Sequence, residues 1–336
     1  MSEMLQNSSN CGLGIDLGGS HITFLILDLA DGTTIHKHVE SIVNRDVDLI
    51  TSQIISITTR IIQENLMTKT IRYIGLGIPG NVDPINGCTR YLPNFQWTQS
   101  VPIGKELSNQ LHLPVHMRND GRCAAVAESR YGAGKNSNIF AMLTLGTGIG
   151  GALIINHKLY DGCSFDAGDF GHHVICSGQE AFQCVCGKKG CFEYHASANG
   201  LIRHYQRERE RMRERERERE ENSCDPRKEK TDTDDIELDN ALIILEKVRG
   251  NESIAISALH SYKNDLATGL ANLVTFYNPD TIALGGGLAQ AEEIFEGLQD
   301  LVDTRTLPAT RGIVKIVPAV LGVDAGAIGA ALLGDV

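Results

Sequence analysis

The chain has 336 residues, of which 42% are hydrophobic and 22% charged, and its formal net charge is −11 at pH 7. This length favours two globular domains, and the acidic charge argues against an extended nucleic-acid or anionic-membrane surface. No apolar run reaches the ~18 residues of a membrane span, the first ten residues are too polar for a secretory signal, and three of nine cysteines cluster as metal ligands do. The cytoplasm is therefore the expected location.

The N-terminal part predicts two apolar strands around a glycine turn. Cys11–Asp16 and His21–Asp28 are the apolar runs, Asp16-Leu17-Gly18-Gly19-Ser20 joins them, and Thr34–Val39 can return as a third strand. Glycine lets a phosphate approach backbone N–H groups, and the aspartate can position Mg²⁺. A plain hairpin turn explains the same residues equally well.

A helix and a buried strand follow, and then a loop. Val47–Met67 has helical periodicity, and Ile71–Ile78 reads as a strand that Pro79-Gly80 ends. Asn81–Trp97 is rich in turn residues and places Asn94 near the only tryptophan. An amide beside an aromatic ring can hold a sugar, although a surface loop with a half-buried tryptophan is the commoner case.

The segment Asn119-Asp120-Gly121 lies between a predicted strand, Val115–Arg118, and a predicted helix, Arg122–Tyr131. An aspartate directly before a helix is first of all an N-cap, and taken alone that interpretation is favoured. The carboxyl end of a strand is also where open α/β sheets carry catalytic groups. Before this segment, Pro102–Leu111 predicts a short helix.

Two further junctions join strands to glycines. Ile139–Leu145 and Gly150–Ile155 are strands that flank Gly146-Thr147-Gly148, and Thr281–Leu284 runs into Gly285-Gly286-Gly287. Three such junctions along the chain suggest two related α/β halves around one nucleotide. The remaining predicted elements are a helix over Ile254–Phe276, a strand over Ile313–Val317 and a closing helix over Asp324–Leu333.

Three cysteines form the most specific local pattern. Cys184, Cys186 and Cys191 supply three thiolates on a tight turn, and either of the adjacent His172 and His173 can complete the four ligands of a structural zinc ion. No coordination position is obviously left open, which favours a zinc that pins a loop. Glu193 follows the cluster and would be held rigidly, so that its carboxylate could accept hydrogen bonds from sugar hydroxyls.

From Arg207 to Glu220 the residues alternate between arginine and glutamate, broken only by Met212. In a helix the i,i+3 pairs are opposite in sign and the i,i+4 pairs alike, so gains of ~0.2–0.5 kcal/mol per pair largely cancel. The run has no apolar stripe. We therefore predict that residues 206–238 are a solvated low-complexity insertion, disordered or transiently helical, outside the active site.

Several motifs resemble, in type and order, those of one known family. They are the phosphate motif Asp16–Ser20, the pair Asn119-Asp120, the glycine segment Leu145–Leu153 followed by Gly162, Gly168 and Gly171-His172, and the set His172, Cys184, Cys186 and Cys191. In this order they resemble the ROK family (repressors, open reading frames, kinases), and specifically its glucokinase-like sugar kinases. The resemblance extends from Gly12 to Leu333 apart from the charged insertion.

The resemblance implies an α/β protein with the actin-like ATPase fold, in which two ribonuclease-H-like domains close over a cleft. The smaller domain would comprise residues 12–119 plus 318–336, and the larger one residues 120–317 with the zinc loop. It also implies a homodimer that binds ATP, Mg²⁺ and a structural Zn²⁺, while the acidic charge predicts no nucleic-acid and no membrane partner. The reaction would move the γ-phosphate of ATP to the 6-hydroxyl of a hexose.

The resemblance also implies roles for individual residues, with Asp120 as the catalytic base. The sugar-binding set is Gly80, Asn94, Asn119, Asp120, Asp169, His172 and Glu193. The set for nucleotide and Mg²⁺ is Asp16, Gly18, Gly19, Ser20, Gly146, Thr147, Gly148, Gly285, Gly286 and Gly287. The zinc ligands are His172, Cys184, Cys186 and Cys191.

Three departures from the family pattern concern which sugar is bound. Asp169 replaces the glutamate that is usual before Gly-His, Gly121-Arg122 replaces small or amide residues, and the loop between His172 and Cys184 is long. Glucose is favoured, while N-acetylmannosamine, N-acetylglucosamine, mannose and fructose stay open, because one methylene in a pocket changes selectivity by only ~1–3 kcal/mol. Two other classes of protein are not favoured. A transcriptional repressor would carry an N-terminal helix-turn-helix. A non-catalytic sugar-binding protein would not need Asp16, Asn119 and Asp120 together.

Overall fold

The computed structural model describes residues 9–65, 69–92, 95, 97, 99–221 and 240–335. Its strands are β1 (Ser9–Leu17), β2 (His21–Asp28), β3 (Thr34–Ser41), β4 (Lys69–Ile78), β5 (Asn81–Asp83), β6 (Cys88–Tyr91), β7 (Val115–Asn119), β8 (Ile139–Leu145), β9 (Ile149–Ile155), β10 (Lys158–Leu159), β11 (Thr281–Gly285) and β12 (Lys315–Pro318). Its α-helices are α1 (Val47–Asn65), α2 (Ile103–Leu111), α3 (Asp120–Tyr131), α4 (Phe192–Ala196), α5 (Ala198–Glu221), α6 (Ala241–Arg249), α7 (Ser253–Tyr277), α8 (Glu292–Phe295), α9 (Leu298–Asp303) and α10 (Ala325–Ala331). Within this part of the chain no helix is long and apolar enough to span a bilayer.

Two five-stranded sheets organise the molecule, in the orders β3-β2-β1-β4-β7 and β10-β9-β8-β11-β12. In the first, β1 pairs antiparallel with β2 and parallel with β4. In the second, β8 pairs antiparallel with β9 and parallel with β11. Each sheet is thus a hairpin extended by parallel strands, which is the arrangement of two related α/β halves that the glycine junctions predict.

The apolar residues that predict the strands form two main cores. One lies between the first sheet and helices α1 and α2, and the other packs α5, α6, α7 and α9 against the second sheet. Strand β11 is buried along its whole length, because parallel strands inside an α/β sheet are covered on both faces. The predicted helix over Val47–Met67 is observed to Asn65, and its last two residues lie outside the described part of the chain.

The chain passes twice between the sheets. It leaves β7 for α3 and β8, and it returns from β12 through a short loop to α10, which packs on β1, β4 and α3. Glycines allow this contact, since a Cβ atom at Gly14 or Gly75 would come within 3.0 Å of the α10 backbone. The C-terminal helix therefore packs on the first sheet, and the domain boundaries stay a prediction.

The charged run is helical as far as it is described. Helix α5 begins in the second core with Leu201 and Tyr205 fully buried, and it continues to Glu221. Arg207 stacks 4.0 Å from the Phe182 ring centroid and pairs with Glu180 at 2.6 Å. Of the two alternatives predicted for this run, disorder or transient helix, the structure has a helix over residues 206–221, because a core-anchored helix propagates into the charged run. The rest of the predicted insertion, to residue 238, lies outside the described residues.

Trp97 is a core residue. Only 5% of its surface is exposed, its indole Nε1 donates to the Arg45 carbonyl at 2.8 Å, and its ring packs on Phe95. The expectation of a half-buried tryptophan on a surface loop is wrong, since the ring completes the first core. Asn94, its predicted sugar-binding neighbour, lies outside the described residues.

Candidate active site

Two cavities open near the end of β7. The first, of about 260 Å³, has two arginines, two asparagines and two aspartates in its wall, and among the predicted sugar-binding residues it gathers Gly80, Asn119 and Asp169. The second, of about 670 Å³, gathers Asp16, Asp120 and the predicted nucleotide residues Gly285, Gly286 and Gly287. We call them the polar cavity and the glycine cavity. They bring together residues that lie far apart in the sequence.

The pair Asn119-Asp120 separates the two cavities. Asn119 lines the polar cavity, and Asp120 lines the glycine cavity. The amide of Asn119 donates to the Gly80 carbonyl at 3.1 Å and accepts from Arg122 N at 3.3 Å, so Asn119 is the N-cap of α3. The interpretation of Asp120 as the N-cap is wrong. Asp120 is the first residue of α3, and it lies in the wall of the glycine cavity.

Asp16 and Asp120 are two neighbouring carboxylates in low-dielectric surroundings. Burial, and secondly the charge of Asp120, raise the pKa of Asp16 to about 7. Burial also raises the pKa of Asp120, although hydrogen bonds from Gly121 and Asn119 oppose this shift. Within the described residues, the buried Oδ1 of Asp16 has no hydrogen-bond partner. An orphaned carboxylate oxygen beside a second carboxylate fits a hydrated Mg²⁺ ion.

A glycine turn joins β8 to β9. Gly146 N donates to Gly148 O at 3.0 Å, Ala198 N donates to Gly146 O at 2.8 Å, and Thr147 is exposed at the tip. Glu193, in the first turn of α4, accepts from Ile149 N at 2.9 Å and occupies the space that a Cβ atom at Gly148 would need. Glu193 thus holds the turn, and its sugar-binding role stays a prediction.

The equivalent turn joins β1 to β2 in the first sheet. Gly18 N donates to His21 O at 2.9 Å, and the Ser20 hydroxyl lies 2.9 Å from His21 Nδ1. Gly19 and Ser20 are exposed, and no heavy atom lies within 4 Å of the position that a Cβ atom of Gly19 would take. The turn leaves room for a phosphate, and its nucleotide role stays a prediction.

The predicted zinc ligands come together. The ligand atoms of His172, Cys184, Cys186 and Cys191 lie within 4.8 Å of one another, with 3.5 Å between the sulfurs of Cys186 and Cys191. His173 is outside the group, and its Nδ1 lies 2.6 Å from the Phe170 carbonyl. The geometry therefore favours His172 over His173. One imidazole and three thiolates are a donor set that suits tetrahedral zinc.

Several residues of the two cavities are absent from the predicted site, although Arg122 stands out in the sequence as a departure from the family pattern. Arg118, Arg122 and Asp166 line the polar cavity, and Asp161 forms a two-point ion pair with Arg118. Glu128 lines the glycine cavity, is fully buried, and accepts from the backbone N–H groups of residues 133, 320 and 321. In the sequence, Glu128 is marked only by being a charged residue within the apolar pattern of α3.

The family model of the ROK family matches residues 12–335. The chain belongs to the ROK family. A glucokinase of Thermotoga maritima is 30% identical over 323 residues, with 95% of each chain covered. An N-acetyl-D-glucosamine kinase of Pectobacterium atrosepticum is 28% identical, with 95% of this chain and 97% of the relative covered. A xylose repressor of Bacillus spizizenii is 27% identical, with 94% of this chain and 75% of the relative covered.

Solved structures give the same assignment. A ROK hexokinase from Thermus thermophilus superposes with a TM-score of 0.78 at 26% identity, with 96% of this chain and 97% of that chain covered. The two sheets are therefore the two halves of an actin-like ATPase fold, as the resemblance predicts. The predicted family and fold are both confirmed, and the match to sugar kinases spans both cavities.

Proposed function

We propose that this ROK protein is an ATP-dependent sugar kinase that transfers the γ-phosphate of ATP to the 6-hydroxyl of a hexose, with glucose as the first expected substrate. One observation carries the proposal. Asn119 and Asp120 stand between a polar cavity suited to a sugar and a cavity walled by Gly285–Gly287. A carboxylate at that boundary can contact the hydroxyl at which phosphoryl transfer takes place.

Phosphoryl transfer depends mainly on in-line positioning and on charge neutralisation. In the proposed mechanism Asp120 accepts the proton of the attacking hydroxyl, and the raised pKa of its buried carboxyl makes it a stronger base. Gly80, Asn119 and Asp169 orient the sugar. The glycine turns at residues 18–19 and 146–148 hold phosphates through backbone N–H groups. Asp16 would hold Mg²⁺, which supplies charge neutralisation when bound.

The remaining predicted roles belong to this proposal. Gly285–Gly287 would lie against adenosine, and His172 and Glu193 would add hydrogen bonds to the sugar. A zinc ion on His172 and the three cysteines would pin the loop before α4, and so help to fix Glu193. A homodimer is proposed on the family resemblance alone.

The relatives support two other candidates. The N-acetyl-D-glucosamine kinase among them supports an acylated sugar as substrate, with the same mechanism. The xylose repressor supports a sugar-sensing role. An assay of ADP release from Mg·ATP, against a panel of hexoses and N-acetylhexosamines, separates these candidates. Turnover on a sugar supports the kinase, and sugar binding without any turnover contradicts it.

The mechanism is tested by Asp120→Asn. Loss of the base should lower kcat by two orders of magnitude or more, in line with the ~10²–10⁴-fold effect of general-base catalysis, while calorimetry still detects sugar binding. Asp300→Asn, which changes an exposed carboxylate on α9, is the matched control and should leave kcat unchanged. Unchanged turnover in Asp120→Asn would remove Asp120 from the mechanism.

A further inference from the structure

The polar cavity has two arginines in its wall, and they differ in what they bind. Each of the three guanidinium nitrogens of Arg118 donates to a protein atom. Its Nε and Nη2 donate to Asp161 at 3.1 and 2.8 Å, and its Nη1 donates to the Met117 carbonyl at 2.8 Å. Arg122 donates from Nη1 to the Phe165 carbonyl, and the same nitrogen lies 3.8 Å from Asp161. Within the described residues, Nε and Nη2 of Arg122 have no hydrogen-bond acceptor.

Arg122 is also the more deeply buried of the two. Its side chain is 8% exposed, against 25% for Arg118. A guanidinium has five N–H donors and keeps its charge in proteins. Because Arg122 lines the cavity, its unused N–H groups are available to an acceptor atom on a bound ligand.

The charges around Arg122 restrict the kind of acceptor. Asp161, Asp166 and Asp169 all interact with its guanidinium, so three carboxylates face the two arginines. An anionic group on the ligand would be repelled by this excess of negative charge, whereas a neutral carbonyl oxygen would accept without adding charge. Asp166 Oδ1 already accepts from Asn81 Nδ2 at 2.6 Å, which leaves its second oxygen for a ligand N–H.

An acylamino group has these two features, a neutral carbonyl acceptor next to an N–H donor. The cavity wall also contains Gly80, Gly150 and Gly151, which have no side chains to fill the space. We propose that Arg122 is the specificity-determining residue of the polar cavity, and that it makes the site act on N-acetylhexosamines at least as well as on glucose. This inference rests on the proposed kinase activity. It names the residue that selects the acylamino substituent of the sugar.

The test compares kcat/KM for glucose with that for N-acetylglucosamine, N-acetylmannosamine and N-acetylgalactosamine. In the wild type, the best N-acetyl sugar should at least equal glucose. Arg122→Gln should lower the ratio of N-acetyl sugar to glucose by about 10–100-fold, as expected for a lost hydrogen bond from a charged donor. Arg122→Lys should have a smaller effect, because it keeps the charge without the planar fork.

Arg118→Gln is the matched control, because the guanidinium of Arg118 binds only protein atoms. It should lower both activities together and leave the ratio unchanged, as any loosening of the cavity wall would. An unchanged ratio in Arg122→Gln, or wild-type turnover on glucose alone, overturns the assignment. If no sugar is phosphorylated, the proposed function fails separately. In that case calorimetry measures the affinities of wild type and Arg122→Gln for N-acetyl sugars and for glucose. The ratio of these affinities then decides the role of Arg122.

Discussion

Asp16 shows how a single residue can be kept for chemistry at the expense of stability. Its carboxylate packs against Gly77 and Gly326, where added Cβ atoms would come close to its oxygens. Its pKa of about 7, against an ordinary value of 3.8, means that the folded protein binds a proton here more tightly than the unfolded chain does. The ionised form therefore opposes folding. This cost is absent below pH 4, grows as the pH rises to about 7, and stays constant above that.

Asp16→Asn should therefore stabilise the protein without Mg²⁺ or nucleotide. We expect a higher melting temperature at pH 8, equivalent to at most about 4 kcal/mol, with a difference that shrinks towards pH 5. The same variant should lose kinase activity. Thermal unfolding at several pH values measures the effect, with Asp300→Asn as the exposed control. A lower melting temperature at pH 8, or a difference that does not vary with pH, contradicts this account.

At the scale of elements, helix α10 packs against the first sheet at backbone distance. Gly14 on β1 and Gly75 on β4 bring the helix backbone against the strands, and Tyr73 Oη donates to the Ala331 carbonyl at 2.9 Å. On the other side of α10, a Cβ atom at Gly329 would meet the Cys123 carbonyl of α3 within 3.0 Å. Helix α10 is thus held between a sheet and a helix at backbone distance.

Gly75→Ala should force α10 away from the sheet. Overpacking of this kind costs about 1–3 kcal/mol, and we expect the upper end because the obstacle is backbone. Gly287→Ala is the matched control, since no heavy atom lies within 4 Å of its added Cβ and its φ of −62° suits alanine. Urea unfolding should show a loss of stability for the first variant and none for the second. Equal stabilities would show that α10 can shift without cost.

At the scale of the whole molecule, the cysteine cluster is connected to the proposed phosphate site. Cys191 is the N-cap residue of α4, Glu193 lies in the first turn of this helix, and its carboxylate holds Ile149 N of the glycine turn. The loop is also tied to the second core, because Phe182 N donates to His195 Nε2 at 3.2 Å and His195 Nδ1 lies 2.7 Å from Asp265. Loss of a bound zinc ion should therefore disturb the glycine turn between β8 and β9.

Cys186→Ser should remove one exposed ligand and lower both the zinc content and the affinity for ATP. The control is Cys163→Ser, because Cys163 is also exposed and lies outside the cluster. Elemental analysis measures zinc, and steady-state kinetics measure KM for ATP, which we expect to rise several-fold in Cys186→Ser alone. Full zinc content in Cys186→Ser, or an unchanged KM after zinc loss, contradicts the proposed connection.

Patterns of neighbouring residues predict those features that depend on neighbouring residues. Apolar runs locate the strands, and the close spacing of Cys184, Cys186 and Cys191 marks the ligand cluster. Local patterns do not predict the contact between Arg122 and Phe165, because that contact closes a long loop. They also do not predict that Trp97 fills the first core. The cap on α3 was assigned to Asp120 instead of Asn119, because both residue types suit the position and tertiary contacts select between them. The long-range contacts that shape the cavities are absent from any single stretch of sequence.

The two passages of the chain between the sheets have a mechanical consequence. One runs through Asn119-Asp120 into α3, the other runs through residues 319–324 into α10, and Glu128 of α3 binds the backbone of the second passage. A rotation of one sheet against the other would pivot about these adjoining passages. Points far from the pivot would sweep wide arcs, while Asp120, which lies on it, would barely move. The carboxylate proposed to take the proton therefore lies where such a rotation would change its position least.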